Sequence, residues 1–555
     1  MKRKIWKHMC AGNSVSEFLL EKTGSSFKER TYNPGKEFKR FPEVKKALEE
    51  AKRTGRIVHL VGDYDSDGIN SVMIMVLLFL NMGIKFRLTI PKREAEGYGL
   101  SQKIIDRVED GVILITIDNG ITAVEQMAEA KKRGMYTIIL DHHTADNVLP
   151  DVDILIDPSA IGEADYTHYC GAGIGYRLAE YILGEDHPII PALSVFAAVA
   201  TIGDAVELTG DNRQIVIEGM KNLKAFKGLS AFNHLLSQKN VHFSESMTST
   251  DIAFNLVPIL NAPERLMDGG AARVCQILLK KSDYEEGVNW LIETNNKRKK
   301  IVSDTMEKVM QSLPEKTLAD KHCIFYADRS IPLGIAGIIA GDLSQKYGKP
   351  AFIFGYDADN NLKGSARCNV PGMNIIELIR KNKELLIGCG GHPGAAGMAV
   401  SEDNYTLFKD KMEETIASDI NRLIGEGVSL YDDIDYIGWD IQANDLNFIR
   451  IAKEILALEP CGCGMPGPKL RIKTRLVSVD ALGGEKDAPS EKKPHVKFKF
   501  AGFTAIGFDQ NEWYYEQKKL LGKEPKFVDL IGTVTDNVYK GTHSIQIRMD
   551  DFEIT

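Results

Sequence analysis

Residues 57–68 read IVHLVGDYDSDG, an apolar, β-branched run that stops at a glycine and breaks into three aspartates. A run this short, closed by glycine, predicts a buried strand, and the stretch behind it predicts a helix. The same pattern recurs in VILITI, YTIIL and DILI, with helical segments such as Ala123–Arg133 between them. Strands alternating with helices build a parallel sheet with helices on its faces. Asp63, Asp118 and Asp141 each stand at the end of one of these strands. Ligands of parallel sheets gather at the carboxyl ends of strands, so the acidic residues are expected along one rim.

Further along, residues 207–315 read as mainly helical and carry the basic run Lys297-Arg298-Lys299-Lys300, for which a solvated helix face is the plain explanation. A second α/β unit starts at His322, with CIFYA and AFIFGY as strands around the helical GIAGIIAGDLSQKYG. It closes near 425 after a glycine-rich turn at Gly388–Gly397. Alternating stretches such as LRIKTRLVSV, HVKFKFAGFTAIGF and HSIQIRMDDFEI then predict a small β-barrel. The expected organisation is an N-terminal extension (1–40), a parallel-sheet α/β domain (41–210), a helical connector (211–315), a second α/β domain (316–425) and a β-barrel (426–555). Gly483–Pro494 is the one stretch whose composition predicts flexibility.

A chain of 555 residues exceeds one hydrophobic core. Its 43% hydrophobic and 26% charged content is that of an ordinary globular protein. The start MKRKIWKHMCAGNS lacks the apolar core of a secretory signal, and the longest apolar run, Val72–Leu80, is too short to span a bilayer. A cytoplasmic location without membrane contact is therefore expected. The eight cysteines form no CxxC pair, so neither a zinc ribbon nor a disulfide framework is indicated. The net charge of −8 argues against a uniformly basic surface but leaves room for a basic groove.

The chemistry lies in four short elements: Asp63-Tyr64-Asp65-Ser66-Asp67-Gly68, Asp118-Asn119-Gly120, Asp141-His142-His143 and Gly203-Asp204. Asp65 and Asp67 are two apart and can face one pocket from an extended turn. The first element is not a calcium loop, because position 74 is Ile where such a loop needs Glu. Alone, a DNG is usually a turn and a His-His pair an accident. In order, with three of the four at predicted strand ends, they form a carboxylate cluster that demands cations or protons. Oxygen ligands suit Mg²⁺ or Mn²⁺, and imidazole favours Mn²⁺. Two such ions roughly 3.5–4 Å apart serve phosphoryl hydrolysis. Neither a GxSxG elbow nor a GxxxxGK[ST] loop is present.

At these residues the chain resembles the DHH phosphoesterase superfamily, whose four motifs match DYDSDG, DNG, DHH and GDA in order. The likeness continues through Leu260–Leu266 (LNAPERL), Gly364–Arg367 (GSAR), Gly390–Gly397 (GGHPGAAG) and Glu459–Pro466 (EPCGCGMP), which resemble segments of the RecJ-type single-strand-specific exonucleases. It covers about residues 40–555 and implies a DHH catalytic domain, a DHHA1 domain and a C-terminal OB-fold. It also implies 5′→3′ hydrolysis of single-stranded DNA to mononucleotides in repair or recombination. By motif, Asp65, Asp67, Asp118, His142 and Asp204 would hold two Mn²⁺ or Mg²⁺ ions, with Asp63 and His143 as catalytic neighbours. Arg93 and Tyr98 would contact DNA near the metals, and Arg265, Ser365, Arg367 and His392 would hold the terminal 5′-phosphate. Guanidinium forks and glycine-run amides suit phosphate, and a tyrosine face suits an unpaired base. Without the resemblance, Tyr98 reads equally as turn packing, Ser365 and Arg367 as an exposed strand edge, and His392 as a turn residue.

In the barrel, Val496, Phe498 and Phe500 predict a core face, while Lys497 and Lys499, with Lys469, Arg471, Lys473 and Arg475, suggest a phosphate path. The sequence departs from the family at Ser66, Ile331, Glu264 and Pro393; Glu264 stands where a small residue is common. The expected partner is single-stranded DNA, with a single-strand-binding protein or helicase as further candidates and the chain itself a monomer. Two other readings stay open: a phosphodiesterase of short oligonucleotides or cyclic dinucleotides, against which the extra barrel weighs, and a catalytically silent DNA-binding replication scaffold.

Overall fold

The computed structural model describes residues 5–8, 15, 38–145, 148–162, 164–225, 230–238, 247–313, 318, 320–357, 359–430, 433–436, 446–484, 489–539 and 542–555. Most of the expected N-terminal extension, and residues 485–488 of the expected flexible stretch, lie outside them.

The first large sheet has five parallel strands in the spatial order Phe86–Thr89, Val58–Val61, Ile113–Ile117, Tyr136–Leu140, Ile154–Ile156. Four are the apolar runs expected from sequence. The edge strand Phe86–Thr89 is not, because it is only half-buried and its Arg87 breaks the apolar text. From Val58–Val61 the chain steps to that edge and then returns to the other side for Ile113–Ile117. The strand order thus reverses between two strands whose ends lead into Asp63 and Asp118, where such sheets open a crevice for ligands.

Helix Ser66–Met82 is buried on nearly every face, since it runs between the sheet and the helices Gly171–Leu183 and Ile190–Gly203. Its start is fixed by Asp65, whose carboxylate accepts from the amides of Asp67 and Gly68. Asp67 therefore sits in the first helical turn rather than in the extended turn expected from its spacing. Gly68 is required there, because a Cβ would fall 2.4 Å from the Asp63 carbonyl.

Helices between 210 and 312 lead to Glu285–Ser312, a helix of 28 residues whose buried positions include Val288, Leu291, Asn295, Thr305 and Val309. The second sheet is mixed, in the order Gly388–His392, Ala395–Val400, Leu362–Arg367, Ala351–Tyr356, Ile324–Ala327, with only the last pair parallel. Helix Leu333–Tyr347 supplies Ile335 and Ile339 to one of its faces, and Glu402–Gly425 supplies Phe408, Met412 and Ile416 to the other. The glycine run at 388–397 is not a turn but two paired strands joined at Pro393-Gly394.

The C-terminal sheet has six strands, in the order Lys469–Arg475, Phe527–Tyr539, Thr542–Ile554, Thr504–Gly507, His495–Lys499, Ser478–Leu482. Val496, Phe498 and Phe500 are buried in its core. The basic path suggested by sequence is partly neutralised: Lys469 pairs with Asp550, Arg471 and Lys473 share Asp529, and Lys499 pairs with Asp480. Alternation showed which residues leave the core but not which carboxylates on neighbouring strands meet them.

Two seams fasten this domain to the rest. Arg213 donates to the carbonyls of Leu458 and Pro460, the Leu208 amide to Cys463, and Ser249 to Glu459 and Cys461. The N-terminal strand Ile5–His8 pairs in parallel with Asp433–Tyr436, and the Trp6 indole donates to Asp551 at 2.8 Å. Arg471 lies 5.1 Å from the Trp6 ring centre.

Candidate active site

Five elements deliver the acidic cluster. Asp63, Asp65 and Asp67 come from the first strand and the helix behind it, Asp118 from the third strand in chain order, and Asp141, His142 and His143 from the fourth. Asp204 caps the helix Ile190–Gly203. His142 Nε2 lies 3.1 Å from Asp118 Oδ1, 3.6 Å from Asp67 Oδ2 and 3.8 Å from Asp204 Oδ2. Asp67, His142 and Asp204 form one set whose ligand atoms lie within 4.8 Å of one another; Asp63, Asp65 and Asp118 form a second.

The surroundings hold these groups in place. Amides of Gly171 and Ala172, at the start of a helix, grip Asp67 at 2.7 and 2.9 Å. Gly171 allows the approach, since a Cβ would fall 2.6 Å from that of Asp118. Asp118 has φ 61°, a left-handed conformation rare outside glycine, and strain of this kind is characteristic of functional sites.

Burial, reinforced by neighbouring carboxylates, pushes Asp63, Asp65 and Asp118 above the usual carboxylate range and Asp204 up to about 8. Among the described residues no Lys or Arg is ion-paired with any of these carboxylates, and the buried Oδ1 of Asp63 has no hydrogen-bond partner. Crowded, unneutralised oxygens with one imidazole are a donor set for Mg²⁺ or Mn²⁺.

His143 is built differently. Its Nδ1 lies 2.8 Å from Asp141 Oδ1, and the other Asp141 oxygen accepts from the Ile121 amide. Burial, the largest single cause, lowers the pKa of this imidazole, but the bond to Asp141 and the charges of Asp141, Asp204 and Asp67 together outweigh it and raise His143 to about 9. The Tyr98 hydroxyl is 3.0 Å from His143 Nε2 and donates to the Asp118 carbonyl, while the tyrosine is 47% exposed. Arg93 lies over the Tyr64 ring at 5.4 Å, and Tyr64 meets Tyr98 edge-on at 6.4 Å.

Arg265 donates to the Gly334 carbonyl at 3.2 Å. Ser365 and Arg367 stand on one face of their strand, facing Gly337: a Cβ there would be 2.8 Å from the Arg367 guanidinium and 3.5 Å from Ser365 Oγ. Burial, together with the charges of Arg93, Arg298 and Arg367, lowers Arg265 to about 10. Clustered guanidinium groups need an anion. His392 shares the face of Arg367 but sits on the exposed edge strand, with Ala395 between them in the ladder. The glycine run forms a flat shelf there, with Gly390, Gly397 and Ser365 aligned across three strands, and does not form the anion-cradling turn expected from sequence.

Sequence reasoning missed four residues. Asp141 holds His143 and Tyr64 lies under Arg93, and neither contact is announced by the motif strings. Glu264 was noted only as a departure, although it is buried. Arg298 belongs to the basic run whose plain explanation is a solvated face, yet it is half-buried and bonds Asn295. Its signal was present: positions 288, 291, 295, 298, 302, 305 and 309 form one helical stripe.

Family models match in chain order: "DHH family, N-terminal domain" over residues 57–201, "DHHA1 domain" over 320–418 and "RecJ OB domain" over 438–551. The single-stranded-DNA-specific exonuclease RecJ of Bacillus subtilis is 26% identical over 519 residues, covering 92% of this chain and 62% of its own length. That of Haemophilus influenzae is 25% identical over 537 residues, covering 91% and 89%. The crystal structure of RecJ with Mn²⁺ from Thermus thermophilus shares the fold, with a TM-score of 0.77 at 23% identity, covering 97% of this chain and 75% of that one. With all three domain models in order and the four motif elements brought to one crevice, the chain belongs to the DHH superfamily, in its RecJ-type branch.

Proposed function

We propose that this protein is a metal-dependent exonuclease that hydrolyses single-stranded DNA from its 5′ end to mononucleotides. The observation that carries the reading is the buried, unneutralised Asp63–Asp65–Asp67–Asp118–His142–Asp204 cluster, with guanidinium groups nearby that suit a terminal phosphate. Asp65, Asp67, Asp118, His142 and Asp204 would hold Mn²⁺ or Mg²⁺, with Asp63 beside them. Bound divalent cations supply Lewis-acid polarisation of a phosphoryl oxygen and acidify water near neutrality.

The remaining work falls to the chain. His143, held by the Asp141 bond, would stand beside the scissile phosphate and favour its negative charge. Tyr98 presents a ring face to an unpaired base while its hydroxyl stays fixed on Asp118 and His143. Arg265, Ser365 and Arg367 grip the 5′-phosphate, with Arg93 between that pocket and the metal cluster. His392 borders the pocket along the same sheet face. A terminal-phosphate pocket makes the enzyme begin at an end.

The six-stranded C-terminal domain favours a long strand over a dinucleotide, although its paired basic residues make it a weaker phosphate track than their number suggests. We also assign the protein to the cytoplasm as a monomer working in repair or recombination, with a single-strand-binding protein or helicase nearby. No helix among the described residues is long and apolar enough to cross a membrane.

The test incubates the protein with 5′- and 3′-labelled single strands of DNA and RNA, in Mn²⁺, Mg²⁺ or EDTA. Immediate release of labelled mononucleotide from the 5′ label on DNA, abolished by EDTA, is expected. Hydrolysis confined to two- to five-nucleotide substrates would replace the reading with an oligonucleotide phosphodiesterase. Tight strand binding without hydrolysis in any metal would make the protein a scaffold.

A further inference from the structure

The geometry points to Glu264 as a positioning residue that fixes the substrate loop 92–97 and hence Arg93, an assignment that rests on the proposed role of Arg93 in holding DNA. Glu264 is 4% exposed, and its carboxylate is fully engaged by main-chain amides. Oε1 accepts from the Arg93 amide at 3.0 Å, across 171 residues of sequence, and from Gly269 at 3.3 Å; Oε2 accepts from Ala271 at 2.9 Å. Gly269 and Ala271 open the helix Gly270–Leu278, whose N-cap glycine has no side chain to offer. One carboxylate therefore caps that helix and holds the loop amide, using the charge that helix N-termini favour.

Asp268, one turn further on, accepts from the amides of Glu94 and Ala95 at 2.9 and 3.0 Å. Three consecutive amides of the loop thus end on two carboxylates from the connector. The next residue, Arg265, reaches the other way: its guanidinium bonds the Gly334 carbonyl, and a Cβ on Gly334 would fall 2.1 Å from the Arg265 carbonyl. Glu264 and Arg265, adjacent in the chain, hook the catalytic domain and the second domain to one helix end. They set the spacing between Arg93 and the Arg265–Arg367 pocket.

A neutral amide cannot replace this carboxylate. Glutamine has one accepting oxygen, and its NH₂ would face an N–H donor whichever way it turned. Glu264→Gln is therefore the isosteric test, with Asp268→Ala as a solvent-exposed comparison. Hydrogen exchange of residues 92–97 is measured in each variant, together with KM and kcat on 5′-phosphorylated single strands in Mn²⁺. Glu264→Gln should speed exchange in the loop and raise KM by roughly ten- to hundredfold with kcat little changed, as expected for lost hydrogen bonds to a charged group and a displaced contact. In an Arg93→Ala background the KM effect should vanish, because the two residues act as one unit. Unchanged exchange in 92–97, or a full KM effect that persists without Arg93, overturns the assignment. Wild-type protein that leaves DNA intact would refute the exonuclease reading instead, while the exchange measurement still reads the clamp.

Discussion

Asp118→Asn separates stability from activity. Asparagine keeps the shape and tolerates the φ of 61°, so the substitution removes little besides a charge. The ligand atoms of Asp63, Asp65 and Asp118 lie within 4.8 Å of one another. Two full charges at that distance repel by about 3.5 kcal/mol at an effective dielectric of about 20. Protons relieve part of this, and burial, the larger cause, acts with the repulsion to raise the pKa values of Asp63, Asp65 and Asp118. A carboxyl raised in the folded state contributes stability that is present below its unfolded value of 3.8 and is lost as the pH climbs through the raised one.

The metal-free variant should therefore be more stable than the parent by about 2–3 kcal/mol at pH 8, with the difference fading toward pH 4. At about 2–4 °C per kcal/mol, its Tm in EDTA should rise by roughly 5–10 °C. Saturating Mn²⁺ should narrow or reverse the order, because the parent binds the ion more tightly. Turnover should fall on the order of 10³-fold or more, since the lost stabilisation is several kcal/mol. Thermal unfolding at both pH values, with EDTA or Mn²⁺, reads all the stability terms. A variant that melts at or below the parent in EDTA at pH 8, or that keeps the full Mn²⁺ shift, refutes the electrostatic account of the cluster.

Arg367→Ala should erase most of the preference for a 5′-phosphate over a 5′-hydroxyl, a loss on the order of 1.5–3 kcal/mol or tenfold and more in relative kcat/KM; an unaltered ratio removes it from the pocket. Asp157 caps the helix Pro158–Ile161 from a buried position, and burial, aided by Asp141, pushes it up to about 6. Its contribution is present below 3.8 and lost as the pH rises through 6, so Asp157→Asn should gain about 1–3 kcal/mol on the parent between pH 4 and pH 8 in urea unfolding. Arg213→Ala removes the bonds to the Leu458 and Pro460 carbonyls and should raise KM for long strands several-fold while leaving tetranucleotides alone. Equal changes on both substrates would show that the seam does not serve the C-terminal domain.

Much of the cluster was legible because strand ends are punctuated in the text. An apolar run closing on Asp63, Asp118 or Asp141 places a carboxylate at a rim without knowledge of tertiary contacts. The metal-side motifs are also local, so one crevice could be inferred from four short strings. What stayed hidden depends on pairs far apart in sequence. Glu264 meets Arg93 across 171 residues, and no periodicity announces a carboxylate that bonds main-chain amides. Arg471 and Asp529 look like separate surface charges until their strands pair. The edge strand Phe86–Thr89 was missed for a simpler reason: half of it faces water, so it lacks an apolar signature.

The short strand at Ile5–His8 bears on synthesis. Its indole contact with Asp551 joins residues 545 positions apart, so this bond cannot form until synthesis has passed residue 551. Closing so long a loop adds only a logarithmic entropic cost, yet it comes late in time. Trp6 thereby registers a late event: a chain stopped short of residue 551 leaves this indole without the Asp551 acceptor.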